Sequence, residues 1–361
     1  MKCCINCFES NYLKQIILTN GVIGNCDFCD SVNISTYNSD ELSPFFKGLL
    51  DVYVVNQTIG DSIEKQLVQD FPAKIFTELV ITKVKSKALL CSIFESEIEE
   101  YKVLLDNPVV LKFKSSSYEE EVVKPLVFSW KKFSLEIKNV NRFHFKNNLD
   151  LNKLKEIFEA YKKEIIKGRN FYRARICSHK EGYKTSEMWN PPNDKASDGR
   201  ANPKGISYLY LSNDQKTSLF EVRSSLYDFV TIGKFKLREN LNVIKLSMQT
   251  IDIFTFLDND LLEDLIIHAP FISRLEQELA KPHRRSDSDL DYLPTQYISE
   301  FIKSMGYDGI EFQSAQNTEG HNLAVFYPEK FECQNVEVVE VVKLDLEYIL
   351  VNDQKPMVGN N

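Results

Sequence analysis

The sequence predicts an α+β protein in three parts: a small cysteine-knuckle segment, a mainly helical segment and a larger domain around a mixed β-sheet. Three observations predict this. Two C-x-x-C pairs fall within the first 29 residues, apolar stripes recur at helical spacing as far as residue 168, and a series of period-two strands begins at Phe171.

The totals are consistent with such a plan. A chain of 361 residues is long enough for two or three domains, and 43% hydrophobic with 27% charged residues is ordinary for a soluble globular protein. A formal net charge of -8 argues against broad binding to DNA or RNA, which relies on a basic surface. No apolar run approaches the roughly 20 residues that span a bilayer, and "MKCCINCFES" lacks the apolar core of a signal peptide, so a cytoplasmic protein with no membrane partner is expected.

Residues 1–35 carry five of the eight cysteines, which suits metal binding in a reducing compartment better than disulfides. Cys4 and Cys7 form one C-x-x-C, Cys26 and Cys29 a second, and two such knuckles complete the closed tetrahedron of a structural Zn²⁺ site. Cys3 could stand in for Cys4; the symmetric spacing favours Cys4.

Residues 36–150 read as mainly helical. Asp61 and Glu64 have capping-box spacing ahead of Ile63, Leu67, Val68 and Phe71, and "SIFESEIEEYKVLL" is an acidic amphipathic helix. Asp150 then caps a helix expected to run through "DLNKLKEIFEAYKKEIIKG" to Gly168, opening a domain at 151–346. Residues 347–361 are expected to be a disordered tail.

The chemistry-bearing residues cluster after Arg169. In "FYRARI" a strand places Arg173 and Arg175 on one face, and residues 169–205 hold eight Lys and Arg against four acids inside an acidic chain. Such a patch can take a compact anion, and arginine's planar fork suits phosphate. "GRANPKG" frames Arg200 with turn formers. "GISYLYLSNDQKTSLFEV" is a strand with Tyr208 and Tyr210 on one face, turning at Ser212 or Asn213 into a helix, about 213–226, that carries Glu221. Ser314 ends a strand in "DGIEFQS", and Asn322 begins the next.

In this order the pieces "FYRAR", "GRANPKG", "LYLS" with "SLFEV", "YLPTQYISEFI" and "DGIEFQSAQNTEGHNLAVF" resemble the RES domain, over about Phe171 to Pro328. The zinc knuckles and helical segment resemble the N-terminal module (HEPN/RES N-terminal type) of longer RES proteins. The resemblance implies a fold related to the ADP-ribosyltransferases and an enzyme that consumes NAD as substrate. It implicates Arg173, Arg200, Tyr210, Glu221 and Ser314, with Tyr172, Arg175 and Asn322 adjacent. The implied activity is hydrolysis or phosphorolysis of the nicotinamide–ribose bond by a bacterial toxin or defence effector. The alternatives are ADP-ribosyl transfer to a protein, or an inactive domain on a zinc-ribbon binding module. The implied partners are an antitoxin or regulatory protein and a second copy of the chain in a homo-oligomer.

Overall fold

The computed structural model describes the chain apart from residues 72–74, 83–84, 116–128, 145–148, 248–250, 257–260, 282–287, 318 and 345–361. The tail expected at 347–361 therefore lies outside the described residues.

The N-terminal region begins with strand β1 (Lys2–Cys4), helix α1 (Asn11–Asn20), β2 (Val22–Gly24) and β3 (Ile34–Asn38), which form an antiparallel sheet in the order β1-β3-β2. Short helices follow: α2 (Ser43–Leu50), α3 (Ile63–Asp70), α4 (Glu78–Thr82), α5 (Ser86–Ile93) and α6 (Ile98–Asp106). The hairpin of β4 (Tyr53–Val55) with β5 (Val109–Leu111) ties them together. The expected capping box at Asp61 is absent. Ser62 precedes the helix, and Asp61 instead accepts from the Ser62 backbone and pairs with Lys65.

Helices α7 (Trp130–Asn139) and α8 (Leu151–Ala160) lead into the large sheet. Its strands are β6 (Lys162–Ile165), β7 (Asn170–Cys177), β8 (Leu209–Ser212), β9 (Phe229–Leu237), β10 (Leu241–Lys245), β11 (Gly309–Gln313), β12 (His321–Val325) and β13 (Phe331–Glu340). Their order is β13-β9-β7-β8-β12-β11-β10-β6, with only β10 and β11 parallel, so the α+β class stands. The helices between strands are α9 (Gln215–Glu221), α10 (Leu261–Ala280) and α11 (Leu293–Ser304).

Two sequence expectations change here. The helix capped by Asp150 stops at Ala160 rather than Gly168, because Lys162–Ile165 pair antiparallel with β10 and bury Ile165. A long-range partner overrides local helix propensity, and Gly168, at φ 91°, turns the chain between β6 and β7. Helix α9 is capped by Asp214, not Ser212 or Asn213, since the Asp214 carboxylate accepts from Thr217 N at 2.8 Å. It ends at Glu221, because Arg223 adopts the left-handed conformation at φ 51°.

The sheet separates two cores. Tyr208, Ile310, Phe312 and Ala324 pack under α7, α8, α10 and α11, whereas Leu209, Leu211, Leu323 and Phe235 face Met188 on the other side. A third core joins the N-terminal region to Ile253, Phe254, Leu262 and Ile266, with the Phe46 and Phe254 rings 4.9 Å apart. Asp252 clasps this junction. Its carboxylate accepts from the Ser10 hydroxyl at 2.8 Å and from Tyr12 N at 3.0 Å, at the start of α1.

Candidate functional site

A cleft opens where the large sheet parts. Strands β7 and β8 pair only at Tyr172 and Ser212, while the "GRAN" turn folds over the gap, leaving a cavity of about 490 Å³. Tyr172, Arg173, Gly199, Arg200, Tyr210, Ser212, Glu221 and Asn322 all line it. Arg175 does not. It stacks on the Tyr183 ring at 4.2 Å and donates to the Glu187 carbonyl, so the two arginines of one strand face have separate uses.

Glu221 is the last residue of α9, where the helix dipole disfavours a carboxylate. Hydrogen bonds offset this. The Ser314 hydroxyl donates to its Oε1 at 2.6 Å and Asn322 Nδ2 donates to the same atom at 2.8 Å, while Asn322 Oδ1 accepts from the Ser212 hydroxyl at 2.8 Å. Ser212, Ser314 and Asn322 are buried and Glu221 is exposed, so a fixed donor set holds a carboxylate at the cleft mouth. Ser314 is itself set by the Gln316 and Asn317 amides, and Asn317 is tied to Thr217 on α9 at 2.8 Å.

Arg173 lies deeper. Among the described residues its Nη1 is buried with no hydrogen-bond partner. Burial first, and the neighbouring Arg175 second, push its guanidinium down to about 10, still charged at neutral pH. A buried, unsatisfied cation is costly without an anion to meet it.

The turn that aims Arg200 is built by residues with no obvious catalytic look. Asn202 is buried and its Nδ2 donates to the carbonyls of Ser197, Pro203 and Ile206, while its Oδ1 accepts from the Tyr210 hydroxyl at 2.7 Å. Gln296 on α11 donates to the carbonyls of Gly199 and Asn202. A Cβ at Gly199 would meet Asn202 Oδ1 at 2.3 Å, so only glycine fits. Arg200 emerges from this turn over the Tyr292 ring at 4.9 Å. Burial pushes the Tyr210 hydroxyl well above its usual range, and that hydroxyl is committed to Asn202, leaving the ring to line the cavity. Sequence reasoning missed Asn202, Ser212 and Gln296; the clustering of turn formers around Arg200 was the available signal for the first.

The family comparison decides what this arrangement belongs to, since the RES domain family matches residues 170–348. This part of the chain is a RES domain. The RES family acts on NAD, so the cleft belongs to an enzyme family. No curated protein matches the chain closely enough to count as a relative. Among solved structures, a chain of the M. tuberculosis MbcT–MbcA toxin–antitoxin complex is similar at 11% identity and a TM-score of 0.33, covering 54% of this chain and 94% of that one. A likeness that distant carries no argument. No helix among the described residues is long and apolar enough to cross a membrane.

The second cluster lies outside the RES domain. Cys4, Cys7, Cys26 and Cys29 are all buried with their Sγ atoms within 4.8 Å of one another. Cys3 is excluded from it, because its thiol turns to the Tyr37 carbonyl. Three Sγ–Sγ distances, 4.0, 3.4 and 3.3 Å, approach the edge of roughly 3.8 Å expected for four thiolates about 2.3 Å from a tetrahedral Zn²⁺. The Phe28 and Cys29 amides point at Cys26 Sγ, as knuckle amides do. Hydrogen bonds from Cys4 and Cys7 lower the Cys26 thiol, while the bond to Cys26 raises that of Cys4. Four thiolates at this spacing would require a cation.

Proposed function

We propose that the cleft cleaves the bond between nicotinamide and ribose in NAD, with water or inorganic phosphate as acceptor. The observation that carries this reading is Arg173, whose buried Nη1 has no partner among the described residues, in the same cavity as a hydrogen-bonded carboxylate. One end suits an anion and the other a developing cation, which are the two ends of this reaction.

The C1′–N bond breaks with its electron pair passing to the pyridinium nitrogen, so the cationic ring departs as neutral nicotinamide and no strong general acid is needed. Positive charge grows on the ribose until an oxygen of water or phosphate bonds C1′ and the surplus proton is released. Glu221, oriented by Ser314 and Asn322, stabilises that charge through the ribose hydroxyls or directly. Arg173 and Arg200 hold the diphosphate. Tyr210 contributes its ring as a wall.

The same reading makes the chain a toxin or defence effector controlled by an antitoxin, with the four cysteines holding a structural Zn²⁺ that fixes the N-terminal fold and takes no part in the chemistry. We place the zinc segment at 1–35, the helical segment at 36–150 and the catalytic domain at 151–346. The test is to incubate the full chain with NAD, with and without phosphate, and follow nicotinamide, ADP-ribose and its phosphate ester. Nicotinamide release is expected, reduced about 10²- to 10³-fold in Glu221→Ala with the fold and zinc content kept. Absence of nicotinamide under every condition overturns the reading. ADP-ribose recovered on protein instead would make the enzyme a transferase.

A further inference from the structure

Next to the cleft lies a second cavity of about 680 Å³, which shares Arg200 and Lys281 with the first as common wall. Its far side is supplied by α7, which lies outside residues 170–348 and so outside the RES domain. Five Lys and Arg line it against two carboxylates, in a chain whose net charge is -8. Lys138 is paired with Asp291, and Arg274 and Lys281 both reach Glu278, so these acids are already engaged. Trp130 stands in the wall with its ring braced against Phe133 and Phe271, 5.8 and 5.6 Å away. Ser134 adds a buried hydroxyl that has no hydrogen-bond partner among the described residues.

We infer that this second cavity is a subsite for an adenine mononucleotide, the far half of a two-lobed dinucleotide whose reactive half sits at Glu221. The inference rests on the NAD reading for the first lobe, and the chemistry of the second lobe supports it separately. Two cations at the junction match the diphosphate that joins the halves of such a ligand. Trp130 offers a braced aromatic surface for a base, Lys131 and Arg274 give a cationic rim, and Ser134 offers a donor and acceptor for a ribose or base edge. The helix outside the RES domain thus completes a substrate site that the domain begins.

The probe is adenosine monophosphate, titrated into the full chain by calorimetry. Binding is expected in the unaltered protein and in Glu221→Ala, which keeps the second lobe intact. Trp130→Ala should weaken it about tenfold or more, the size expected for losing one base–aromatic stack. Because Trp130 also packs in the core, exposed Lys131→Glu serves as the second variant and should weaken binding with no change in thermal stability. No binding to the unaltered protein, or undiminished binding in both variants, overturns the inference. Adenosine monophosphate bound through Trp130 and Lys131 by a protein that releases no nicotinamide would retain this subsite while removing the NAD reading.

Discussion

The cysteine cluster and the cleft are built on opposite rules. At the N-terminus four sulfurs crowd within 4.8 Å of one another, knuckle amides point inward, and the ligand set is closed on itself. In the cleft the groups are held apart. Glu221 is fixed through one oxygen, Arg173 keeps a buried nitrogen unpartnered among the described residues, and about 490 Å³ of space lies between the walls. A closed set can contribute stability, whereas an open one stores an unmet interaction for something that arrives. On the proposed reading the first is a folding device and the second a chemical one.

Breaking the closed set should have the largest effect. Cys26→Ser, or a strong chelator, should remove the proposed Zn²⁺, and because zinc binding in small modules is worth about 10 to 16 kcal/mol, the N-terminal core should unfold. Loss of bound zinc by elemental analysis together with a new low-temperature unfolding step checks this; a variant melting as the unaltered chain does would show that the cluster holds no structural ion.

The open set should answer in the opposite direction. Arg173→Met removes a buried charge and replaces it with a flexible apolar side chain, so stability should rise by about 1 kcal/mol or more as activity is lost. A denaturant melt beside a nicotinamide-release assay tests the pair of outcomes. Lowered stability would mean that Arg173 is held by the fold and is not waiting for a ligand.

Between these extremes stands Asn202, which is closed on itself but serves the open site. Asn202→Ala strips three carbonyls of a donor and the Tyr210 hydroxyl of its acceptor, for an expected loss of about 2 to 3 kcal/mol. It should also raise KM for NAD, because Arg200 loses its frame. An unchanged KM in a destabilised variant would reduce the turn to scaffolding.

The smallest effect concerns His321, next to Asn322. Burial, and then Lys245, depress its imidazole below the usual 6.5, and its Nδ1 is buried without a partner among the described residues. Protonation therefore favours the unfolded chain. The contribution of His321 to stability is complete above about pH 6.5 and is lost as the pH falls below it. His321→Gln should flatten that slope in melts between pH 7 and 5, and an unaltered slope would assign it to other groups.

How much of this was legible in the sequence follows from how local each feature is. The cysteine spacing, the strand at "FYRARI" and the turn formers at Arg200 are short-range signals, and the structure keeps them. The Glu221–Ser314–Asn322 grouping could be listed from the resemblance, but its geometry comes from β12 pairing with its neighbour β11 on one side and, across about 100 residues of chain, with β8 on the other. Asn202 and Gln296 escaped for the same reason, as did the strand at Lys162–Ile165, whose partner is β10. The cap of α9 was a different kind of miss. Ser212 and Asn213 are good capping residues by type, but they are engaged by Asn322 and His321, and the helix takes the next candidate, Asp214.

The clasp at Asp252 also orders events during synthesis. Ser10 and Tyr12 leave the ribosome before Asp252, and the core beside them, which includes Phe8, Leu13, Ile253, Phe254, Leu262 and Ile266, cannot close until the chain has grown past residue 266. Ser314 and Asn322, which position Glu221, are made later still. Since domains fold as their residues emerge, the N-terminal core is complete while the cleft is still without its donors. Each nascent chain passes through an interval in which it has a finished front and no competent site.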